Sequence, residues 1–438
     1  MAPKVAIIGS GISGLGAAHA LRGQADVTLL EAGSYFGGHT NTVDVTLPDA
    51  AGRAVTQGVD TGFLVFNERT YPRLIALLAE LGVDSAKSDM SFSVQARQGR
   101  GARPLVWSGT DLNGLFAQRS NLWSPRFWGM LKDLMRFNAL TTRLAESGTD
   151  AQMRQTLGAF LDEQGFGPAF REWYFMPMMA CIWSCPTQQM LQFPVATMVR
   201  FCHNHGLLQV TNRPQWWTVQ GGARHYVQAI TAAVSDKRLN SRVHSVDYDA
   251  QANAGRGGVW VRTTQGLERF DRAILATHSD QALAVLQDAS SLERALLGAI
   301  RYQPNVAVLH TDTTVMPPQR AAWAAWNYER AQDAQQEQAR VCLHYWINRL
   351  QPLPWKEDVI VSLNPVRDVD PVRVIRRIDY AHPVFDGAAM SAQRQMHEIQ
   401  GGRGRYFAGA WMGYGFHEDG LKAGMAAAQA LLRDWGAA

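Results

Sequence analysis

Long apolar runs are missing from this sequence. Nowhere in its 438 residues does an uninterrupted hydrophobic stretch approach the roughly twenty that a membrane-crossing helix needs, so none is expected. Cysteine is scarce as well: Cys181, Cys185, Cys202 and Cys342 are too few and too scattered for a disulfide framework. A zinc site from Cys181, Cys185, Cys202 and His203 or His205 would match no usual zinc spacing. The same segment is rich in Met and Trp, so buried thiols are the reading and no metal is expected. Charge is sparse, with 18% charged residues and a net +4, which does not point to nucleic acid as a partner. The opening Met1-Ala2-Pro3-Lys4 shows neither the apolar stretch nor the cleavage site of a signal peptide. The expectation is a reduced, cytoplasmic protein, with a peripheral position on the inner membrane as the variant of that placement.

What is present is a globular composition, 46% hydrophobic, in a chain long enough for two domains. Its organising stretch is Lys4 to Glu31. Val5 to Ile8 is a short β-branched run suited to a strand buried on both faces. Gly9, Gly11 and Gly14 follow in G-x-G-x-x-G spacing, with Ser13 among them, and Leu15 to Arg22 opens a small-residue helix. Gly9 permits the tight turn, Gly11 leaves bare backbone for a pyrophosphate, and Gly14 lets helix and strand approach. The helix N-terminus then turns free N–H groups toward the phosphates. Val27 to Leu30 reads as the second strand, and Glu31 at its end suits a carboxylate that accepts both ribose hydroxyls.

Further along, Gly37-Gly38-His39-Thr40 lets backbone pass close beneath a bound cofactor, and Gly58 to Phe63 reads as a strand leaving a tight turn. Tyr71 to Gly82 is an amphipathic helix. Asn121 to Leu144 interleaves Leu122, Trp123, Phe127, Trp128 and Met135 with Arg126, Lys132, Arg136 and Arg143. At helical spacing this is either a helix packed on its own domain or a peripheral membrane contact. Trp173 to Cys185 carries almost no charge and three methionines, which suits an irregular apolar cavity or plain core. A second glycine pair, Gly221-Gly222, precedes a helix through Ile230. Strands follow at Arg242 to Val246, Val259 to Val261 and Arg272 to Thr277, and residues 303 to 390 alternate short strands with polar turns. His310, His344 and His382 lie there as acid–base candidates. Arg405 to Trp411 reads as a strand entering a glycine turn, Gly413 to Gly420 as a loop, and Leu421 to Trp435 as an Ala-rich helix.

Together these blocks resemble the flavin-containing amine oxidase superfamily, which also holds protoporphyrinogen oxidases and phytoene-type desaturases. The blocks are Val5 to Glu31 with Gly37-Gly38-His39-Thr40, Trp217 to Arg224 with the Val243 strand, and Tyr406 to Gly420. More narrowly, Val59-Asp-Thr-Gly-Phe-Leu-Val-Phe-Asn67 and Trp411-Met-Gly-Tyr-Gly-Phe-His-Glu-Asp-Gly420 look like a bacterial group of NAD/FAD-binding proteins. That group is often encoded beside enzymes similar to cyclopropane-fatty-acid synthases.

The resemblance implies FAD and an α/β fold. A Rossmann-like FAD-binding domain (residues 1–70, 215–290 and 396–438) would have a parallel sheet in ββα layers. A substrate-binding α+β domain (71–214 and 291–395) would have a mostly antiparallel sheet. Gly9, Gly11, Ser13, Gly14 and Glu31 would bind the ADP half, and Gly38, His39 and Thr40 would pass the pyrophosphate. Val243 would hold the adenine, Gly409 and Ala410 the ribityl phosphate, and Asp419, Gly420 and Leu421 the pyrimidine end.

Four positions depart from the family pattern. His39 stands for the usual Arg and Ala410 for a frequent acid. His417 replaces an aromatic-cage tyrosine, and Tyr302-Gln-Pro-Asn305-Val306 lacks the usual lysine. The implied activity is FAD-dependent hydride removal from an apolar substrate, a lipid or fatty acyl chain, with His417 as general base and Trp411 and Tyr414 lining the cavity. The alternatives are amine oxidation, a non-redox double-bond isomerase, and a non-catalytic flavoprotein partner of a lipid-modifying enzyme.

Overall fold

A computed structural model describes residues 2–96, 104–183, 190–204, 206, 214–255, 257–330 and 341–437. Five parallel strands form its first sheet, in the order Asp236–Arg238, Asp26–Leu30, Lys4–Ile8, Arg272–Leu275 and Arg405–Phe407. Alternation along the Lys4–Ile8 strand divides its side chains between two cores. Val5 and Ile7 face the helix side with Leu15 and Leu431, while Ala6 and Ile8 face Val246, Val259 and Phe270. The second group belongs to an antiparallel meander, Val243–Asp249, Gly258–Thr263 and Gly266–Phe270. The parallel sheet is thus sandwiched between helices and a β layer, as the resemblance implies.

The second large sheet has seven strands, and its neighbours are antiparallel except for Phe92–Ala96 beside Trp326–Glu329. Its edge strand Val374–Val384 pairs along Arg301–His310 over its whole length. Both strands lead back toward the cofactor-side sheet at their 301 and 384 ends. Three local expectations differ from the structure. The strand near Gly58 runs Ala54–Asp60 and ends where the glycine turn begins, because its partner Thr42–Pro48 pairs on that side. The strand after Arg405 is only three residues, Arg405–Phe407. The last helix begins at His417, which places His417, Glu418 and Asp419 in its first turn instead of a loop. Asp419 explains the early start: its carboxylate accepts the Tyr414 and Phe416 N–H groups (3.1 and 3.0 Å), closing the loop onto the helix.

Between Ile12–Leu21 and His417–Ala437 the backbones touch. A Cβ on Gly420 would lie 2.7 Å from Ile12, and one on Gly16 would lie 2.7 Å from Leu421. Small residues alone permit this crossing, which brings both helix N-termini to the same end of the sheet.

Candidate active site

A cavity of about 660 Å³ runs from the carboxyl ends of the parallel strands to the face of the seven-stranded sheet. Gly9, Gly11, Glu31 and Val243 line one end; Cys181, Trp183, Phe201, Trp326 and Tyr345 line the other. Gly38, His39, Gly409, Ala410, Tyr414 and His417 lie along the cavity. Ser13 and Trp411 also border it.

The glycine turn has the required form. Gly9 sits at φ +97°, and a Cβ there would lie 2.6 Å from the Ala276 carbonyl oxygen. A Cβ on Gly14 would lie 1.9 Å from the Gly9 carbonyl oxygen, so helix and turn close only through glycine. At Gly11 the position of a missing Cβ faces open space, which leaves room for a phosphate. Glu31 is held by Ser10 (N–H 3.0 Å and Oγ 2.5 Å) and by the Gly33 N–H at 2.8 Å. Ser10 also accepts the Gly37 N–H at 3.2 Å, which ties the first glycine turn to the second. Sequence reasoning missed Ser10; its place between two motif glycines was the available signal. His39 Nε2 is buried without a partner among the described residues, an unmet hydrogen-bonding group on a cavity-lining ring that stacks on Tyr380 at 4.7 Å. A phosphate-bearing cofactor fits these groups.

Other predicted residues stand behind the wall. Thr40 does not border the cavity; its hydroxyl bonds Tyr226, which in turn stands 2.6 Å from His417 Nε2. Tyr226 was not foreseen, and nothing in its sequence neighbourhood marks it. Asp419 spends its carboxylate on the 414–416 loop, while Gly420 and Leu421 pack against Ile12 and Gly16. The Asp419 and Leu421 side chains and the bare Cα of Gly420 therefore support the last helix, and none of the three lines the cavity. Trp411 is nearly buried over Gly409 and donates its indole N–H to Thr277 O at 3.0 Å, so it serves as a strut as well as a wall. Glu418 accepts the Arg73 and Leu74 N–H groups, both at 3.0 Å, capping the Pro72–Leu81 helix from a distant part of the chain.

His417 stacks on Phe63 with ring centroids 3.8 Å apart, and burial pushes its pKa down to about 3. His382 lies in the cavity wall with its pKa lowered to about 4 by burial. Its tautomer follows from its neighbours. Asn364 accepts the Val306 N–H and donates to Val341 O, which orients its amide; it then donates to Asn305 Oδ1 at 2.7 Å. Asn305 Nδ2 therefore donates to His382 Nδ1 at 3.0 Å, leaving the proton of the neutral ring on Nε2.

His310 and His344 lie elsewhere, both within 2.7 Å of the buried Ser362 Oγ inside the seven-stranded sheet. Strand alternation explains the difference: Trp326 and its partner Tyr345 face the cavity, while Asn327 and His344 face away. Glu329, Cys342 and His344 come together there, but Arg367 already occupies both Glu329 oxygens at 2.8 and 3.1 Å. That makes the cluster a hydrogen-bonded core network. Cys181 and Cys202 are buried free thiols, and burial raises both above the ordinary thiol range. Cys185 and His205, named for the zinc reading, lie outside the described residues.

A ββα-layered parallel sheet, a glycine turn with an acid on the second strand, and a cavity reaching a second sheet define a dinucleotide-binding flavoprotein. The family model for flavin-containing amine oxidoreductases matches residues 12–320, and the chain belongs to that family. Its cofactor is FAD, and it is an FAD-dependent oxidoreductase. Compared by sequence alone, it matches no curated protein.

Among solved structures it is similar to a CLA-producing fatty acid isomerase from P. acnes (TM-score 0.66, 16% identity, 97% of each chain covered). It is similar to cyclohexylamine oxidase from Brevibacterium oxydans (TM-score 0.66, 17% identity, 100% of each chain). A putrescine oxidase bound to putrescine gives a TM-score of 0.65 at 14% identity over 98% of each chain.

Proposed function

We propose that the protein removes a hydride from an apolar acyl chain held in the cavity beyond the glycine turns. One observation carries this reading: among the described lining residues the only carboxylate is Glu31 and the only guanidinium or ammonium is Arg242. Both stand at the dinucleotide end, beside Leu30 and Val243. The remainder is uncharged: aromatic, aliphatic or thiol, with the neutral polar groups Ser10, Ser13, Ser241, Thr277 and Gln281 and histidines that burial keeps neutral. A wall of this kind gives an ammonium no counter-charge, and desolvating a charged substrate there would cost several kcal/mol. An alkyl chain loses nothing by entering it, at about 25 cal/mol per Å² of apolar surface removed from water.

Bound FAD supplies the hydride acceptor, and residues 1–70, 215–290 and 396–438 carry it in this reading. The chain's own groups bind, orient and exclude water. Trp326 and Tyr345, edge-to-face at 4.9 Å, hold a C–H bond against rigid rings. His382 presents Nε2–H as a neutral donor for a carbonyl oxygen. His417 enters as a neutral, stacked ring bonded to Tyr226; a pKa of about 3 suits a positioning group better than a base working near neutrality.

The test is anaerobic mixing of the yellow protein with fatty acids and phospholipids, or with cyclohexylamine and putrescine. Bleaching of the visible flavin band by acyl chains, with a product two hydrogens lighter, supports the reading. Bleaching by amines alone overturns it. The fatty acid isomerase among the similar structures favours one second reading, double-bond migration, which a product of unchanged mass would identify.

A further inference from the structure

The helix Pro125–Ser147 and the turn before it present an unusual surface. Trp123 is 86% exposed and Trp128 50%, and Leu112, Leu122 and Met135 are exposed beside them. Trp128 does not swing freely, because its indole N–H donates to Leu122 O at 2.9 Å and its ring packs on Phe116. The buried side of the same helix, Phe127, Met130 and Phe137, packs into the core, so the outer aromatics are surplus to its folding. Around them stand exposed cations: Arg119, Arg126, Lys132 and Arg136. The acids nearby are engaged, Asp111 in capping Gly114 and Asp133 with Arg136 and the Gly167 N–H.

We propose that this face docks the protein on an anionic lipid surface, with Leu122, Trp123 and Trp128 in the headgroup region. Charge complementarity selects the occupant: a rim of Arg and Lys around tryptophans matches anionic headgroups above an apolar interior. The placement also leads to the cavity. The helix packs on residues 168–175, whose chain continues into Met176–Trp183 with Cys181, Ile182 and Trp183 in the cavity wall. It also packs on Val195–Asn204, which contributes Phe201. This deepens the acyl-chain reading, and rests on it only for lipid delivery, not for binding itself.

The test uses the full-length, FAD-loaded protein with vesicles of phosphatidylcholine alone and of phosphatidylcholine containing phosphatidylglycerol. The protein should float with the anionic vesicles and not with the neutral ones. Trp123→Ser with Trp128→Ser, and separately Arg119→Glu with Lys132→Glu, should each weaken binding at least about tenfold, with unchanged melting and FAD content. Absence of binding at low salt overturns the proposal, as does binding at the wild-type level by either variant pair. So does a dimer in sedimentation that the tryptophan pair abolishes, since the face would then be a contact between copies. Vesicle binding is read without turnover. Binding without acyl oxidation sinks the substrate reading alone; acyl oxidation with no vesicle binding sinks the docking alone.

Discussion

Gly424 stands so close to Ser13 that a Cβ on it would lie 1.9 Å from the Ser13 carbonyl oxygen. The contact joins the two helices whose N-termini meet at the cavity, so the spacing of those termini depends on a hydrogen atom at residue 424. Gly424→Ala should push the last helix outward and destabilise the protein by about 3 kcal/mol. The FAD-to-protein ratio after purification should fall with it. A variant that keeps full FAD and an unchanged melt would show that the crossing yields cheaply.

Glu31 accepts three protein hydrogen bonds and still borders the cavity. Glu31→Gln should weaken FAD binding by about ten- to a hundredfold, the loss of one charge-assisted bond at about 1.5–3 kcal/mol. Titration of apoprotein with FAD, followed by flavin fluorescence, measures it directly.

The His382 tautomer depends on Asn305. Asn305→Asp should draw the proton to Nδ1 and turn Nε2 of this cavity-lining histidine into an acceptor. We expect kcat to drop at least tenfold while FAD stays bound, and nitrogen chemical shifts of labelled histidine should report the switch. Unchanged shifts would refute the hydrogen-bond assignment.

Stability should depend on pH in two opposed ways. His417 has a folded pKa of about 3 against an ordinary 6.5, so the unfolded chain binds the extra proton between those values. Its contribution is favourable above pH 6.5 and is lost as pH falls. Asp60, fully buried at the Gly221-Gly222 turn, is pushed up by burial to about 7 from 3.8. Its contribution is present at low pH and is lost as pH rises toward 7. Denaturation between pH 4 and 6 should therefore show a slope smaller by about 1.4 kcal/mol per pH unit in His417→Gln. It should show one larger by a similar amount in Asp60→Asn.

Much of the cofactor end was legible from residue order alone. A strand, three spaced glycines, a helix and a terminal acid are local: Gly9 takes a positive φ, and Gly14 is needed because its Cβ would otherwise collide with the Gly9 carbonyl five residues earlier. The chamber was not legible in that way. Nothing adjacent in sequence links Trp326 to Tyr345, or His417 to Tyr226, across 191 positions. The extent of the last helix also escaped sequence reading, because Asp419 caps it through side-chain bonds to the preceding loop.

By itself, then, the amino-acid order determined where backbone could bend, where it could approach a phosphate, and which strand would carry the acid. Only tertiary packing decided which aromatic rings share a wall and which histidines stay neutral. The physical reason is range. Steric rules act between neighbours along the chain, whereas burial, which sets both cavity shape and proton affinity, comes from segments that meet only when the sheets close.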